Sequence, residues 1–201
     1  MALQKKEIAF QISAPNIQTM KVVLRGTSPL IFHKWDEKAI KMILDKQMKK
    51  AQKGREIRDP EKEYKNSFYY DAKGNIAFPA RNIKQAIVGS ARFINGVPMT
   101  ILRGSVFVEG DKDGYIPVTF KKKSMRQDMV TVGMGTADIR FRGQLEDWSM
   151  DVLIKFDADI LSAEQVLNLL QRAGFSQGLG EWRPEKNGDY GTFSIQSEPE
   201  K

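Results

Sequence analysis

The sequence predicts an α+β fold whose core runs β–α–β–β–α–β, the ferredoxin-like (RRM-like) order. Three observations predict it. Short β-branched and apolar segments at 21–26, 105–109, 150–156 and 192–196 read as strands. Apolar stripes of three- and four-residue period at 80–94 and 162–173 read as helices. The long basic segments fall between these elements, so they read as insertions into a scaffold.

Each element has its own warrant. Ile8, Phe10 and Ile12 alternate as in an edge strand, and Pro15 breaks it. Lys21–Gly26 is short and β-branched and reads as a central strand, with Leu30, Ile31 and Phe32 continuing it around a bend at Ser28-Pro29. Ile40, Ile43, Leu44, Met48 and Ala51 predict an inserted helix over about 36–53, with Asp36 as its N-cap and Gly54 as its stop. Residues 55–66, with Asp59-Pro60, read as a charged loop. Residues 68–70 and 76–78 form a hairpin around Gly74. Pro79 opens a helix carrying Ile83, Ala86, Ile87, Ala91 and Ile94, and Asn95-Gly96 ends it. Residues 110–147 are glycine-containing, irregular and basic. Ser162 and Gln165 form a capping box ahead of Val166, Leu169, Leu170 and Ala173, and Gly174 closes that helix. Phe193 and Ile195 mark one face of the last strand.

Composition narrows the chemistry. The chain has 201 residues, no Cys and one His. Disulfides, thiol catalysis, Cys-ligated metals and a multi-His site within one subunit are excluded, and no cofactor is expected. There is no apolar run of membrane-spanning length and no secretory leader, so a cytoplasmic protein without a membrane partner is expected. The length suits a single domain over 1–201 with insertions at 30–66 and 110–147. The formal net charge is +7. Residues 38–58 hold eight Lys or Arg against two acids, and 119–142 hold six against two. Two basic insertions on a nearly neutral body suggest a surface for nucleic acid more than general solubility.

Three segments resemble the RAMP superfamily, the ferredoxin-like proteins of CRISPR systems. Phe78 to Arg92 resembles that superfamily's first core helix, which follows a proline and carries small, apolar and basic residues at similar spacing. Ser162 to Gly174, running into Gly178, Leu179 and Gly180, is similar to its last helix and glycine-rich loop. Gly188 to Gly191 is similar to its second glycine segment. Small phage and prophage proteins of this type share the same ending. The resemblance covers about 40 of the 201 residues plus the element order. It implies a protein that grips a nucleic-acid backbone and stacks as a homo-oligomer along a strand. Residues 110–147 would be its projecting hairpin.

Candidate contact residues follow. Gly178 and Gly180 offer an unobstructed backbone to phosphates, with Arg183 and Lys186 adding charge and Trp182 able to stack on a base. A tight connection with Trp182 in the core is the structural alternative. Arg81 sits in the first turn of its helix, where a cation opposes the macrodipole unless a phosphate lies nearby. Lys84 lies on the same helix. In the basic insertion stand Lys121, Lys122, Lys123, Arg126, Arg140 and Arg142, the last two on one face if they lie in a strand.

The expected function is non-catalytic binding of single-stranded nucleic acid, RNA more than DNA, with self-association along the strand. Two alternatives stand beside it. One is a RAMP-like, metal-independent endoribonuclease using His33 as base, with Asp36 as the weaker candidate. The other is a phage module that acts on a host protein complex. No P-loop, dinucleotide fingerprint or EF-hand spacing is present.

Overall fold

The computed structural model describes residues 13–35, 37–50, 58–133 and 135–196. In chain order the strands are β1 (Ile17–Gly26), β2 (Leu30–Ile31), β3 (Tyr69–Tyr70), β4 (Ile76–Pro79), β5 (Val106–Glu109), β6 (Tyr115–Pro117), β7 (Lys122–Val132), β8 (Thr136–Glu146), β9 (Ser149–Asp157) and β10 (Phe193–Gln196). The helices are α1 (Glu37–Gln47), α2 (Pro60–Asn66), α3 (Ala80–Ser90), α4 (Met99–Ser105) and α5 (Ala163–Ser176). No described helix is long and apolar enough to cross a membrane.

The main sheet has the order β10–β1–β9–β5, with every pair antiparallel. Taken with α3 and α5, its elements follow one another as β–α–β–β–α–β. Strand alternation gives the sheet two unlike faces. Val22, Leu24, Met150, Val152, Ile154, Phe156, Val106 and Phe193 are buried on one face, in a single cluster with Ile83 and Ile87 of α3 and Val166, Leu169 and Leu170 of α5. Full burial of each such side chain contributes roughly 1.5–3 kcal/mol. The other face carries Lys21, Arg25, Asp151, Lys155 and Phe107 and is exposed. The capping box at Ser162 and Gln165 is formed, each side chain bonding the other residue's backbone N–H.

Three expectations about residues 21–66 need correction. Leu30 and Ile31 do not extend β1. Trp148 donates its indole N–H to the Ser28 carbonyl at 2.7 Å, the chain turns there, and β2 pairs with β8 in a second sheet. The inserted helix is shorter than 36–53, because Lys49 adopts a left-handed φ of 54° that ends it. Residues 55–66 are not all loop: Asp59 accepts from the Lys62 N–H and Pro60 opens α2. Residues 99–105 form α4 ahead of the strand. The expected strand at 8–12, the Asp36 cap and the Gly54 stop lie outside the described residues.

The basic insertion, irregular by its residues and a projecting hairpin by the resemblance, is a regular hairpin over 122–146. β7 and β8 pair without a break from Lys122–Glu146 to Val132–Thr136. Eleven residues a side make an arm about 35 Å long. Arg58 ties its outer part to α2. Its guanidinium meets Glu63 at 2.6 Å and Asp138 at 2.7 Å, donates to the Ile139 carbonyl, and lies over the Phe141 ring.

Gly174 does not close α5, which runs on to Ser176; it permits the close packing of α5 on β10 instead. A methyl group there would run into the Phe193 carbonyl oxygen, a backbone atom that cannot rotate away. Gly174→Ala is expected to lower stability by about 1–3 kcal/mol in a urea melt, against the gain that Ala normally brings to a helix interior.

Candidate nucleic-acid interface

A cleft of about 570 Å³ opens between one side of α3, the start of α4 and the loop that follows α5. The three- and four-residue spacing of α3 sends Ile83 and Ile87 to the core and leaves Arg81, Lys84 and Gln85 toward the cleft. α4 adds Arg103, and the loop adds Arg183 and two carboxylates, Glu181 and Glu185. His33 stands at one side, where the chain leaves β2.

The charges in the cleft do not cancel. Glu185 accepts from Arg183 at 2.7 Å and lies 3.5 Å from Arg92. Glu181 is matched by His33, whose Nδ1 lies 2.9 Å from its Oε1. That hydrogen bond is the main reason the Glu181 carboxyl sits below the usual glutamate range. Arg81, Lys84 and Arg103 have no carboxylate partner among the described residues. Lys84 donates instead to the Arg103 carbonyl at 2.8 Å and lies 3.7 Å above the Phe107 ring. Burial lowers its pKa. The Tyr69 hydroxyl, in the same cleft, is pushed up chiefly by burial, with Arg81 opposing. The result is a concave surface with a surplus of cations.

The glycine-rich loop works differently from the sequence expectation. Gly178 and Gly180 have left-handed φ of 65° and 74°. A side chain at Gly178 would meet Pro184, and one at Gly180 would meet the Ile31 carbonyl. Their bare sides therefore face protein. The N–H groups of Gly178, Leu179 and Glu181 are bonded to Ala173, Gly191 and Ile31. The loop positions Arg183 and Glu181 at the cleft and has little free backbone for a phosphate. Lys186 is exposed just outside the lining.

The six cations of the arm are not in the cleft. Asp128, buried to 7% exposure, accepts from Arg126 at 2.6 Å, Arg142 at 3.2 Å and the Trp182 indole at 3.2 Å. Arg140 and Arg142 do lie on one face of β8, yet Arg142 is itself buried. Trp182 is thus anchored to the arm. Lys121 pairs with Asp147, Lys122 with Glu146 and Arg140 with Asp138. Lys123 lies 5.9 Å above the Phe68 ring.

Arg103, Tyr69 and Glu181 escaped the sequence reading. Pro98, which precedes α4, was the available signal for Arg103. No local signal brings Glu181 to His33, 148 positions away.

Comparison with known proteins gives a fold. No protein-family model matches the chain, and no curated protein matches it in sequence. A chain in the cryo-EM structure of the type III-B Cmr-beta complex bound to cognate target RNA has a TM-score of 0.57 at 9% identity. The match covers 90% of this chain, which spans 60% of that one. Cmr6 from Pyrococcus furiosus gives 0.46 at 13% identity, over 90% of this chain and 98% of that one. Cas6 (TTHA0078) in a product complex gives 0.32 at 12%, over 88% and 51%. The likeness is one of fold. The first match shows a shared fold, and the other two carry no argument at their scores.

Three outcomes follow from this geometry. Asp128→Ala leaves the buried Arg142 uncompensated and is expected to cost about 3 kcal/mol in chemical denaturation. Arg140→Ala, which breaks an exposed pair, is expected to cost less than about 1 kcal/mol. Glu181 has a depressed folded pKa, so its contribution is full above the ordinary glutamate pKa and fades as pH falls through the lower folded value. Melting temperatures measured from neutral to acid pH should show wild type losing its advantage over Glu181→Gln only below about pH 4.3.

Proposed function

We propose that this protein is a single-domain, ferredoxin-like binder of single-stranded nucleic acid that does not cut its ligand. It holds the backbone in the cleft beside α3 and self-associates along the strand. The surplus of cation in a concave site carries the reading. Arg81, Lys84 and Arg103 would neutralise successive phosphates, and release of their counterions would drive binding. Arg183, held by Glu185 and the Gly180 carbonyl at 2.8 Å, would narrow the cleft's far wall. RNA is favoured over DNA because Asn82 and Gln85 lie among the phosphate contacts, where an amide can meet a 2′-OH.

Arg81→Ala should weaken binding of a fluorescent single-stranded oligonucleotide and reduce the slope of log affinity against log salt by about one. Lys121→Ala, outside the cleft, should leave that slope nearly unchanged. Equal losses from both would move the site to the arm. Binding that ignores salt would overturn the reading.

One observation favours a second reading. His33 is oriented by Glu181 in the manner of a general base, and Tyr69 shares the cleft as a proton donor. Incubation of purified protein with labelled RNA in a chelator decides it. Cleavage abolished by His33→Ala would make the protein a ribonuclease, and intact RNA would leave it a binder.

A further inference from the structure

Helix α1 is amphipathic, and nothing among the described residues is laid along its apolar side. Ile40, Ile43, Leu44 and Met48 recur at three- and four-residue steps and so share a face. All four are exposed, Leu44 to 50% and Met48 to 61%, and Trp35 just before the helix is exposed to 59%. An 11-residue helix gains little from propensity alone. It needs a surface that covers the stripe. Lys41, Lys46, Lys49 and Lys50 stand around that stripe against Asp45. A second α1 is a poor cover, because it would bring two sets of lysines together.

The far end of the main sheet has the complementary chemistry. Ile17 opens β1 and stands opposite Asp157 at the end of β9. Ile160 follows in the next turn. Ile17 is 55% exposed and Ile160 is 48% exposed. The same edge and turn carry Asp157 and Asp159, which accept from Asn16 and have no cationic partner among the described residues. The two features are far apart. The chain leaves the Gly26 end of β1 to reach α1, with the Phe32 and Lys34 N–H groups bonded to Gly143 and Ser67. Ile17 is at the other end of that strand, about 30 Å away.

We propose that α1 of one copy docks on the Ile17–Ile160 edge of a second copy, its stripe on the two isoleucines and its lysines beside the two aspartates. This rests on the self-association proposed above and names its surface. The contact is head-to-tail: each copy keeps one free helix or one free edge, so the assembly propagates.

The test uses the full chain in two exposed double variants. One is Ile43→Glu with Leu44→Glu, and the other is Ile17→Lys with Ile160→Lys. Both should keep the wild-type melting temperature. In sedimentation velocity, wild type should grow in mass with concentration, and each variant alone should associate about tenfold more weakly or not at all. Mixed in equal amounts, the variants should form a discrete dimer, since each supplies the surface the other lacks. Variants that associate like wild type, or a mixture that stays monomeric while wild type grows, would overturn the proposal. So would a wild type that is monomeric at every concentration with and without oligonucleotide. Cleft binding is read separately, on an oligonucleotide too short for two copies. Loss of that binding alone would overturn the cleft reading and leave the docking intact.

Discussion

The seat of the loop after α5 on residues 29–31 is the contact that the site depends on. The Glu181 N–H bonds the Ile31 carbonyl at 3.0 Å, and the Gly191 N–H bonds the Pro29 carbonyl at 2.9 Å. Within the loop, Leu179 bonds back to Gly191 and Tyr190 to Trp182. Backbone bonds of this kind fix the positions from which the side chains between them project. Glu181 is delivered to His33, Trp182 to Asp128, and Arg183 to the cleft wall. The glycines at 178 and 180 permit this seating, since a Cβ at either would strike protein. Their chemistry is that of close approach, and the ligand would meet side chains.

The protein's cations fall into two electrostatic classes. Those of the arm are mostly matched: Arg126 and Arg142 share Asp128, Lys121 and Lys122 have acidic neighbours, and Lys123 lies over the Phe68 ring. Burying Arg142 is costly unless its charge is met, and its Nε still lacks a hydrogen-bond partner. Such a group is held for geometry, fixing the arm's base against the loop. In the cleft Arg81, Lys84 and Arg103 have no carboxylate partner among the described residues, and mutual repulsion among cations in a concave site destabilises the unliganded state slightly. A polyanion relieves that repulsion, which gives binding a gain that an isolated surface lysine does not offer.

The core was legible because it depends on local period. Val22 and Leu24, the stripe from Ile83 to Ile87, and Ser162 with Gln165 each announce an element within a few residues. The arm's hairpin came from the resemblance and not from its residues, because their polar alternation resembles loop composition and their pairing depends on the turn near Gly133 and Gly135. α2 was lost to its charge, although Asp59-Pro60 spelled its cap. At the site, Arg81 and Lys84 were legible as cations on the wrong side of an apolar stripe. Their distinction from Arg126 and Arg142 was not, because it depends on Asp128, whose role exists only once β7, β8 and the loop meet.

The position of β1 also sets when the molecule can exist. Its neighbours in the sheet are β9 and β10, which begin at Ser149 and Phe193, so its partners arrive late in synthesis. At ribosomal speeds of about 5–20 residues per second, β1 waits several seconds with both edges bare. The charges at Lys21 and Arg25 then act as guards, since a strand edge flanked by lysine or arginine resists pairing with another chain. Closure of so long a loop adds entropy only logarithmically with its length, but the native pairs cannot form ahead of it. Native pairing of both β1 edges therefore waits until Phe193–Gln196 has been made.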